Sequence, residues 1–323
     1  MISIISPVLG TSDKVRKFIS SILSLSYPDD PLLKCIELVI IDDGSSVDLR
    51  STVMSYYPSF KERNWNLKFI RNDVNCGRAY SRNRAAEQAT YEWLFFVDID
   101  NLIQENCLNN LLAMIVNSND DFVARANVRC HLERRSESNY VSYFDSRYLG
   151  NRVEGDVEID YRYFASDAFI IKKDLFNFLN GFDESFRHYG CEDEEFGIRL
   201  RNEKIKFYFC SNALLIDDDN PTLDRACTRI VSYSRYSVPL LVKKHPKALP
   251  NLLFPAVEKE NTPVTLLLKI VLSIIVNLKL NDFMRVILNK LDNKRRYYIP
   301  SLFYKAVLAA YYIKGYNCRG DDD

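Results

Sequence analysis

The chain has 323 residues, 47% of them hydrophobic, with ten glycines and eleven prolines. That is enough to bury one large core with an appendage or two modest cores, and too little glycine and proline for a fibrous or low-complexity protein. Lys+Arg and Asp+Glu each number 43, and this balance with only three histidines gives no footprint for a nucleic-acid groove. The charges are unevenly placed: residues 1–220 hold 26 basic and 35 acidic side chains, residues 221–323 hold 17 and 8. An acidic body is followed by a basic tail whose excess suits an anionic surface such as a membrane leaflet.

In chain order, Ile2–Ser6 reads as a short strand closed by Pro7. With no basic region before it, "MISIISPVLG" is expected to be a first strand and not a signal peptide. "TSDKVRKFISSILSLSYP" then places Val15, Phe18, Ile19, Ile22 and Leu23 at helical spacing. The apolar run Ile36–Ile41 predicts a strand covered on both faces; it stops at Asp42-Asp43-Gly44-Ser45, and a helix follows to about Tyr57. "NLKFIRN" predicts a third strand, "RAYSRNRAAEQAT" a helix with Arg78, Arg82 and Ala85 along one face, and "WLFFV" a fourth strand. Strand and helix alternating in this way predict an α/β fold with a doubly wound, mostly parallel sheet and a ligand crevice at the carboxyl ends of its strands.

After Asn101 the order is less regular. A helix is expected near 104–117, a strand in "DDFVARANVRCHL", a polar stretch over 133–157, a strand in "YFASDAFII" and a short helix over 173–179. A helix from about Asp193 to Asn202 and a strand follow. From 221 onward the pattern is mainly helical, so the expected division is a domain over 1–220 and a basic helical extension over 221–323. The apolar run Thr262–Leu280 is interrupted by Lys269, Asn277 and Lys279, which leaves less than the roughly 20 clean residues of a membrane span and predicts a buried or interfacial helix. Eight scattered cysteines, with no CxxC pair and no histidines at zinc spacing, read as reduced thiols of a cytoplasmic protein.

Asp98 and Asp100 flank one residue at the end of the fourth strand, and side chains that alternate with period two put both on one side. Such a pair repels unless a cation offsets it, and hard oxygen ligands suit Mn²⁺ or Mg²⁺; alone, the pair reads more readily as an ordinary acidic turn. Asp43 at the end of the second strand can accept a hydrogen bond from a pyrimidine N–H, although "DDGSS" is also a common turn and cap. Arg78 and Arg82 can meet a diphosphate or lie on a solvated helix face. "YGCEDEEFGIRL" offers a general base at a helix start, or simply an acidic first turn with a Glu195–Arg199 helical pair.

Taken in order, "SIISPV", "LVIIDDGSS", "NCGRAYSRNRAA", "FFVDID" and "GFDESFRHYGCEDEEFGIRL" resemble the inverting nucleotide-sugar glycosyltransferases of family 2 with the GT-A fold, over about residues 1–215. The last stretch resembles the W-G-G-E-D segment of galactosyltransferase-like and chondroitin-polymerase-like members, with Tyr189 for the tryptophan and Cys191 for the second glycine. The resemblance implies that Pro7 and Asp43 line a nucleoside pocket, that Asp98 faces the ribose or the metal, and that Asp100 binds a Mn²⁺ or Mg²⁺ bridging the diphosphate. It also implies that Arg82 neutralises the leaving group, that Asp193 is the base, that Glu192 and Glu194 position the sugars, and that Tyr189 stacks on a sugar ring. Many relatives add a metal-binding histidine after the catalytic helix. Here "LLIDDDNPTLD" stands in that place, with Asp217 or Asp219 as the substitute ligand or with the run serving as a polar turn.

The expected reaction is transfer from a nucleotide-sugar donor, with UDP as the nucleotide, to a saccharide or lipid-linked saccharide acceptor in bacterial surface polysaccharide synthesis. The tail, with "NKRRYY" beside apolar helical faces, suggests peripheral binding at an anionic membrane. Two rivals remain: a non-catalytic nucleotide- or sugar-binding module, and an aspartate-nucleophile phosphatase suggested by "DIDNL". The phosphatase pattern ordinarily opens its fold and has Thr or Val where Leu102 stands.

Overall fold

A computed structural model describes residues 1–25, 35–117, 120–247 and 262–319; the last three residues of the predicted first helical segment, 26–28, lie outside them. The chain divides into two compact units. The first comprises Met1–Arg129, Tyr148–Arg187 and Glu192–Asp219; the second comprises Cys130–Arg147, His188–Cys191 and Asn220–Asp323.

In the first unit, β1 (Ile2–Val8), α1 (Ser12–Leu23), β2 (Ile36–Asp42), α2 (Arg50–Met54), α3 (Tyr57–Glu62), β3 (Asn66–Arg71), α4 (Arg78–Gln88) and β4 (Trp93–Val97) follow the predicted alternation. Their strands pair in parallel in the order β3-β2-β1-β4. Pro7 does not close β1 but pairs with Ile41 one residue before its end. Val8 C=O accepts from Asp43 N–H on the β2 side, so Pro7 faces the β4 side, where pairing has already stopped at Ile5↔Phe96. A residue without an N–H is tolerated there because the ladder needs no donor.

Beyond β4 come β5 (Asn101–Ile103), α5 (Cys107–Asn117), β6 (Phe122–Cys130), then α6 and α7 (Leu132–Glu137, Asn139–Asp145) of the second unit. They are followed by β7 (Val157–Ile159), β8 (Ala168–Lys172), α8 (Lys173–Phe178), α9 (Glu192–Asn202) and β9 (Lys206–Asp217). The sheet continues as β4-β8-β6-β9-β5, with β7 also on β9. The pairings β4–β8, β6–β8, β5–β9 and β7–β9 are antiparallel.

Period-two alternation divides the core cleanly. Ile2, Ile4, Leu38, Ile40, Trp93 and Phe95 join α1 and α5 on one face. Ile5, Val39, Ile41, Leu94 and Phe96 join Ala79, Ala85, Phe176 and Phe196 on the other. Each strand is therefore buried on both sides, which is why β2 is apolar nearly throughout. On the second face Phe96 stacks on Phe169 at 4.8 Å, and Phe182 lies 4.8 Å from Phe196. This aromatic layer seats α9 against the sheet.

In the second unit, α10 (Leu223–Ser232), a π-helical turn over Tyr233–Ser237 and α11 (Val238–Lys244) are followed by helices Pro263–Asn277, Leu280–Lys290 and Ser301–Asn317. The polar stretch expected over 133–157 contains α6 and α7, because Tyr140 and Tyr143, three residues apart, bury against Tyr304 with ring centroids at 5.4 and 5.3 Å. The charged run before them masks this short apolar face. Among the described residues no single helix is long and apolar enough to cross a membrane.

The turn after β2 depends on Gly44, which has φ +77°, and a Cβ there would lie 2.6 Å from Val74 C and 2.7 Å from Asn75 N. Those are backbone atoms and cannot yield cheaply. Gly44→Ala should therefore destabilise the first unit by about 2–4 kcal/mol, from left-handed strain plus overpacking; urea unfolding would show it, and a loss below about 0.5 kcal/mol would refute it.

Candidate functional site

The carboxyl ends of β2 and β4, the N-terminus of α9 and the end of β9 carry the acidic side chains singled out above. The turn after β2 is internally clamped. Asp42, fully buried, accepts from Ser45 N–H at 2.8 Å and from Arg71 Nη1 at 2.7 Å. Asp43 accepts from Asn72 Nδ2 at 2.8 Å, Cys76 N–H at 2.8 Å and Gly77 N–H at 3.0 Å. Asp43 thus ties the loop ahead of α4 to the end of β2, and one of the about four acceptor positions of its carboxylate remains for a further donor.

Asp98 and Asp100 stand in the turn between β4 and β5. Asp98 N–H is held by Asp167 C=O at 2.9 Å, and Asp98 C=O accepts from Asn101 N–H at 2.9 Å. The short strand β5, which sequence reasoning missed, pairs Asn101 with Asp217 of β9, and Asp218 N–H donates to Asp100 C=O at 2.8 Å. This antiparallel pairing lays "DDD" (217–219) beside "DID" (98–100). The two acidic segments, about 120 residues apart in sequence, share one rim.

Burial, then the charge of Asp98, then that of Asp219 raise the Asp100 carboxyl above the ordinary aspartate range, and Lys14 acts against them. Lys14 Nζ lies 3.3 Å from Asp100 and 3.5 Å from Asp219. Asp217, hydrogen-bonded by Tyr148 Oη at 2.9 Å and by Asp219 N–H at 2.8 Å, is pushed up to about 7, first by burial and then by Asp100. Lys14 and Tyr148 carried no signal: a lysine on an amphipathic helix reads as solvated, and Tyr148 sits in a polar stretch.

Arg82, a candidate from the sequence, is buried and ion-paired at both ends of its guanidinium. It is 1% exposed, donates from Nη2 to Asp98 at 2.8 Å, and lies with Nη1 3.4 Å from Glu192 Oε1. Its guanidinium sits 5.4 Å above the Phe182 ring. The helical spacing suggested a charge offered outward to a ligand; in the structure that charge joins the β4 end to the first residue of α9.

At the start of α9, Glu192 is buried and its Oε2 has no hydrogen-bond partner among the described residues. Burial and then Asp193 raise its carboxyl, against Arg82 and Arg78. Glu194 is raised well above the usual range by burial and then by Asp193. Asp193 is half-buried, with Oδ1 accepting from Glu194 N–H at 3.0 Å. Glu195 and Arg199 form the expected helical pair at 2.8 Å, and Arg199 also donates to Gly181 C=O at 2.7 Å.

Tyr189 belongs to the second unit. It is 39% exposed, with Arg229 5.1 Å over its ring and its C=O accepting from Ser237 Oγ at 2.9 Å.

Among the described residues no three His, Cys, Asp or Glu side chains close tightly enough to enclose an ion unaided. The donor set nevertheless fits a hard divalent cation. It is all carboxylate, its members repel one another, and a lysine ammonium already lies between two of them; Mg²⁺-like ions use one or two carboxylates and fill the remainder with water and phosphate oxygens.

The parallel sheet with its antiparallel extension is the fold of solved GT-A glycosyltransferases. Residues 3–177, more than half of the chain, match the model of Glycosyl transferase family 2, and the chain belongs to that family. A second model, the N-terminal domain of galactosyltransferase, matches residues 153–218. The chain is 26% identical over 245 residues to chondroitin synthase of Escherichia coli, covering 65% of this chain and 34% of that one. It is 31% identical over 105 residues to poly-beta-1,6-N-acetyl-D-glucosamine synthase of Staphylococcus epidermidis, covering 32% and 23%. It thus aligns with about a quarter to a third of the length of these relatives.

The mannosyltransferase PcManGT from Pyrobaculum calidifontis, solved with GDP-Man and Mn²⁺, superposes with a TM-score of 0.56 at 16% identity, covering 97% of this chain and 86% of that one. S. aureus TarS 1–349 with UDP gives 0.54 at 16%, covering 100% and 92%. Both share the fold.

Two outcomes test this geometry. Arg82→Met should destabilise the protein by about 3–5 kcal/mol because it strands the buried Glu192 and leaves Asp98 without its ion-pair partner. Adding Glu192→Gln to that variant should restore part of the loss in urea unfolding; strict additivity would show that the pair is not coupled. The second concerns pH. An unfolded aspartate titrates near about 3.9, and Asp217 in the folded chain near about 7. Between these values the folded state keeps a proton the unfolded state has lost, so stability falls as pH rises from about 4 to about 7. Asp217→Asn should make that fall shallower in chelator-treated protein, leaving the part due to Asp100, Glu192 and Glu194; an unchanged slope would remove Asp217 from the account.

Proposed function

We propose that the protein is an inverting glycosyltransferase that moves a sugar from a nucleotide diphosphate donor, with UDP the expected nucleotide, to a saccharide hydroxyl in bacterial surface polysaccharide synthesis. The observation that carries this reading is the linkage of the Asp98/Asp100 rim to the acidic start of α9 through Arg82, in a chain of glycosyl transferase family 2. The relatives' names, a chondroitin synthase and a poly-N-acetylglucosamine synthase, support the polysaccharide setting.

In this reading Asp193 is the base. A base must be ionised and within reach of the acceptor. Burial and the neighbouring Asp193 raise the Glu192 and Glu194 carboxyls, which disfavours both as bases, and Asp193 lies in the first turn of α9, where the helix N-terminus favours negative charge. Asp193 takes the proton of the acceptor hydroxyl as that oxygen bonds to the anomeric carbon. The bond from that carbon to the nucleotide diphosphate oxygen breaks on the opposite face, and the configuration inverts. Asp98 and Asp100, with Asp217 or Asp219 beside them, would hold a Mn²⁺ or Mg²⁺ ion, which supplies positive charge to the departing diphosphate.

Asp43 and Pro7 flank the nucleoside position, with the remaining acceptor site of Asp43 offered to a base N–H. Arg82 fixes Asp98 and Glu192 and contributes its positive charge through them. Glu192 and Glu194 are the sugar-positioning acids, and the exposed ring of Tyr189 is of the kind a sugar stacks upon. The basic tail extends the reading to a lipid-linked acceptor at an anionic membrane surface.

Nucleotide sugars offered as a panel with Mn²⁺, with release of the nucleotide diphosphate measured, would test the proposal. Asp193→Asn should lower turnover by about 10²–10⁴-fold with little change in thermal stability. Transfer that survives this substitution would exclude Asp193 as the base.

A further inference from the structure

The helix Pro263–Asn277 is apolar along most of its length, yet Leu272 is its only buried residue. Val264, Leu266, Leu267, Leu268, Ile270, Val271 and Ile274 are each 41–77% exposed. At about 100° per residue they cover an arc of about 200°, twice the stripe that a soluble helix presents to a core. A helix apolar over so wide an arc belongs in a core or in lipid. The next helix, Leu280–Lys290, continues the surface through Leu280, Phe283, Val286 and Ile287, at 37–62% exposure. The two meet at a bend of 73°, where Lys279 adopts φ +55°.

Neither helix is long enough by itself to span a bilayer. Fifteen residues rise about 22 Å, short of the roughly 30 Å hydrocarbon thickness. The surroundings point to one occupant. Residues 261–320 hold ten Lys+Arg and two Asp+Glu. Lys279, Lys290 and Arg296 are exposed, as are the rings of Tyr297 and Tyr298, with the Arg296 guanidinium 5.8 Å over the Tyr297 ring. Basic and aromatic side chains bordering apolar surface match the headgroup region of an anionic leaflet. A second copy of the chain would cover one stripe of a helix, not an arc this wide.

We infer that Pro263–Lys290 is a bent, monotopic membrane anchor whose two helices insert their apolar faces into one leaflet of an anionic bilayer. The inference rests on the membrane contact proposed above and deepens it from surface attraction to insertion.

The test uses the full chain and vesicles of phosphatidylcholine with and without phosphatidylglycerol. Protein recruited to anionic vesicles should stay bound in flotation at about 1 M salt, where charges are screened within about 3 Å. Trp65 and Trp93 are both buried in the first unit, so Phe283→Trp adds one exposed reporter, which acyl-chain-brominated lipid should quench. The combined variant Leu267→Glu, Ile270→Glu, Ile274→Glu alters exposed positions only and should partition at least about tenfold less, with donor turnover in solution unchanged. Release by salt without quenching would overturn insertion and leave only electrostatic attachment. A concentration-dependent dimer in light scattering, abolished by the triple variant, would also overturn it by assigning the face to a second copy. Donor turnover in the same preparations reads the catalytic proposal separately.

Discussion

One buried cation sets the geometry of the candidate site. Arg82 is shut away from water, and a guanidinium so placed is tolerated only where acceptors replace its hydration. It finds them on two separate elements, the turn after β4 and the first residue of α9, while Phe182 beneath it supplies an aromatic face. Asp98 therefore cannot move independently of Glu192. Withdrawing either acid leaves a charge that the site is too dry to solvate, so the strand end and the helix start are energetically one piece. That coupling gives a family 2 fold a fixed spacing between the carboxylates proposed for the donor and those proposed for the acceptor.

The antiparallel half of the sheet makes the second essential connection. Parallel strands deliver Asp43 and Asp98 to the same end of the sheet, but they cannot bring in residues 217–219. The three-residue strand β5 does so by pairing with the last residues of β9. The backbone hydrogen bond from Asp218 to Asp100 then fixes the register, and a slip of one residue would turn Asp217 away from the rim.

Much of this was legible in the sequence, and the reasons are physical. β1, β2 and β4 are buried on both faces, so their apolar runs are unbroken and easily read. The Glu195–Arg199 pair follows from helical spacing alone. Cys191, standing where the resembling motif has glycine, adopts φ +70°, directly after Gly190 at φ +85°. Gly190 itself admits no side chain, since a Cβ would lie 2.6 Å from Tyr233 Cδ2. The motif's glycines thus answer a backbone need, met at Cys191 with strain of about 1–2 kcal/mol. What was not legible depends on long-range pairing. Three residues are too few for period two to register, which hid β5 and β7. The resemblance singled out Arg82, but its pairing with Asp98 and Glu192 could not be read, because spacing along one helix says nothing of what packs over it.

The electrostatics of the rim bear on the missing histidine. Asp98, Asp100, Asp217 and Asp219 bring four carboxylates together, and Arg82 and Lys14 bring two cations. With all four ionised the cluster is short of two positive charges, and a proton retained on Asp217 reduces the deficit to one. A neutral histidine would donate a lone pair to a metal without changing that balance. A carboxylate in its place adds negative charge, so a divalent cation at the proposed site would meet harder ligands. Lys14 lies between Asp100 and Asp219, within ion-pair distance of both. Its ammonium is carried on a flexible four-carbon stem and is only partly buried, so it can leave that position without disturbing the sheet. Asp217 and Asp219 would thus stand where a metal-binding histidine is expected, as carboxylates of the kind that suit a hard cation.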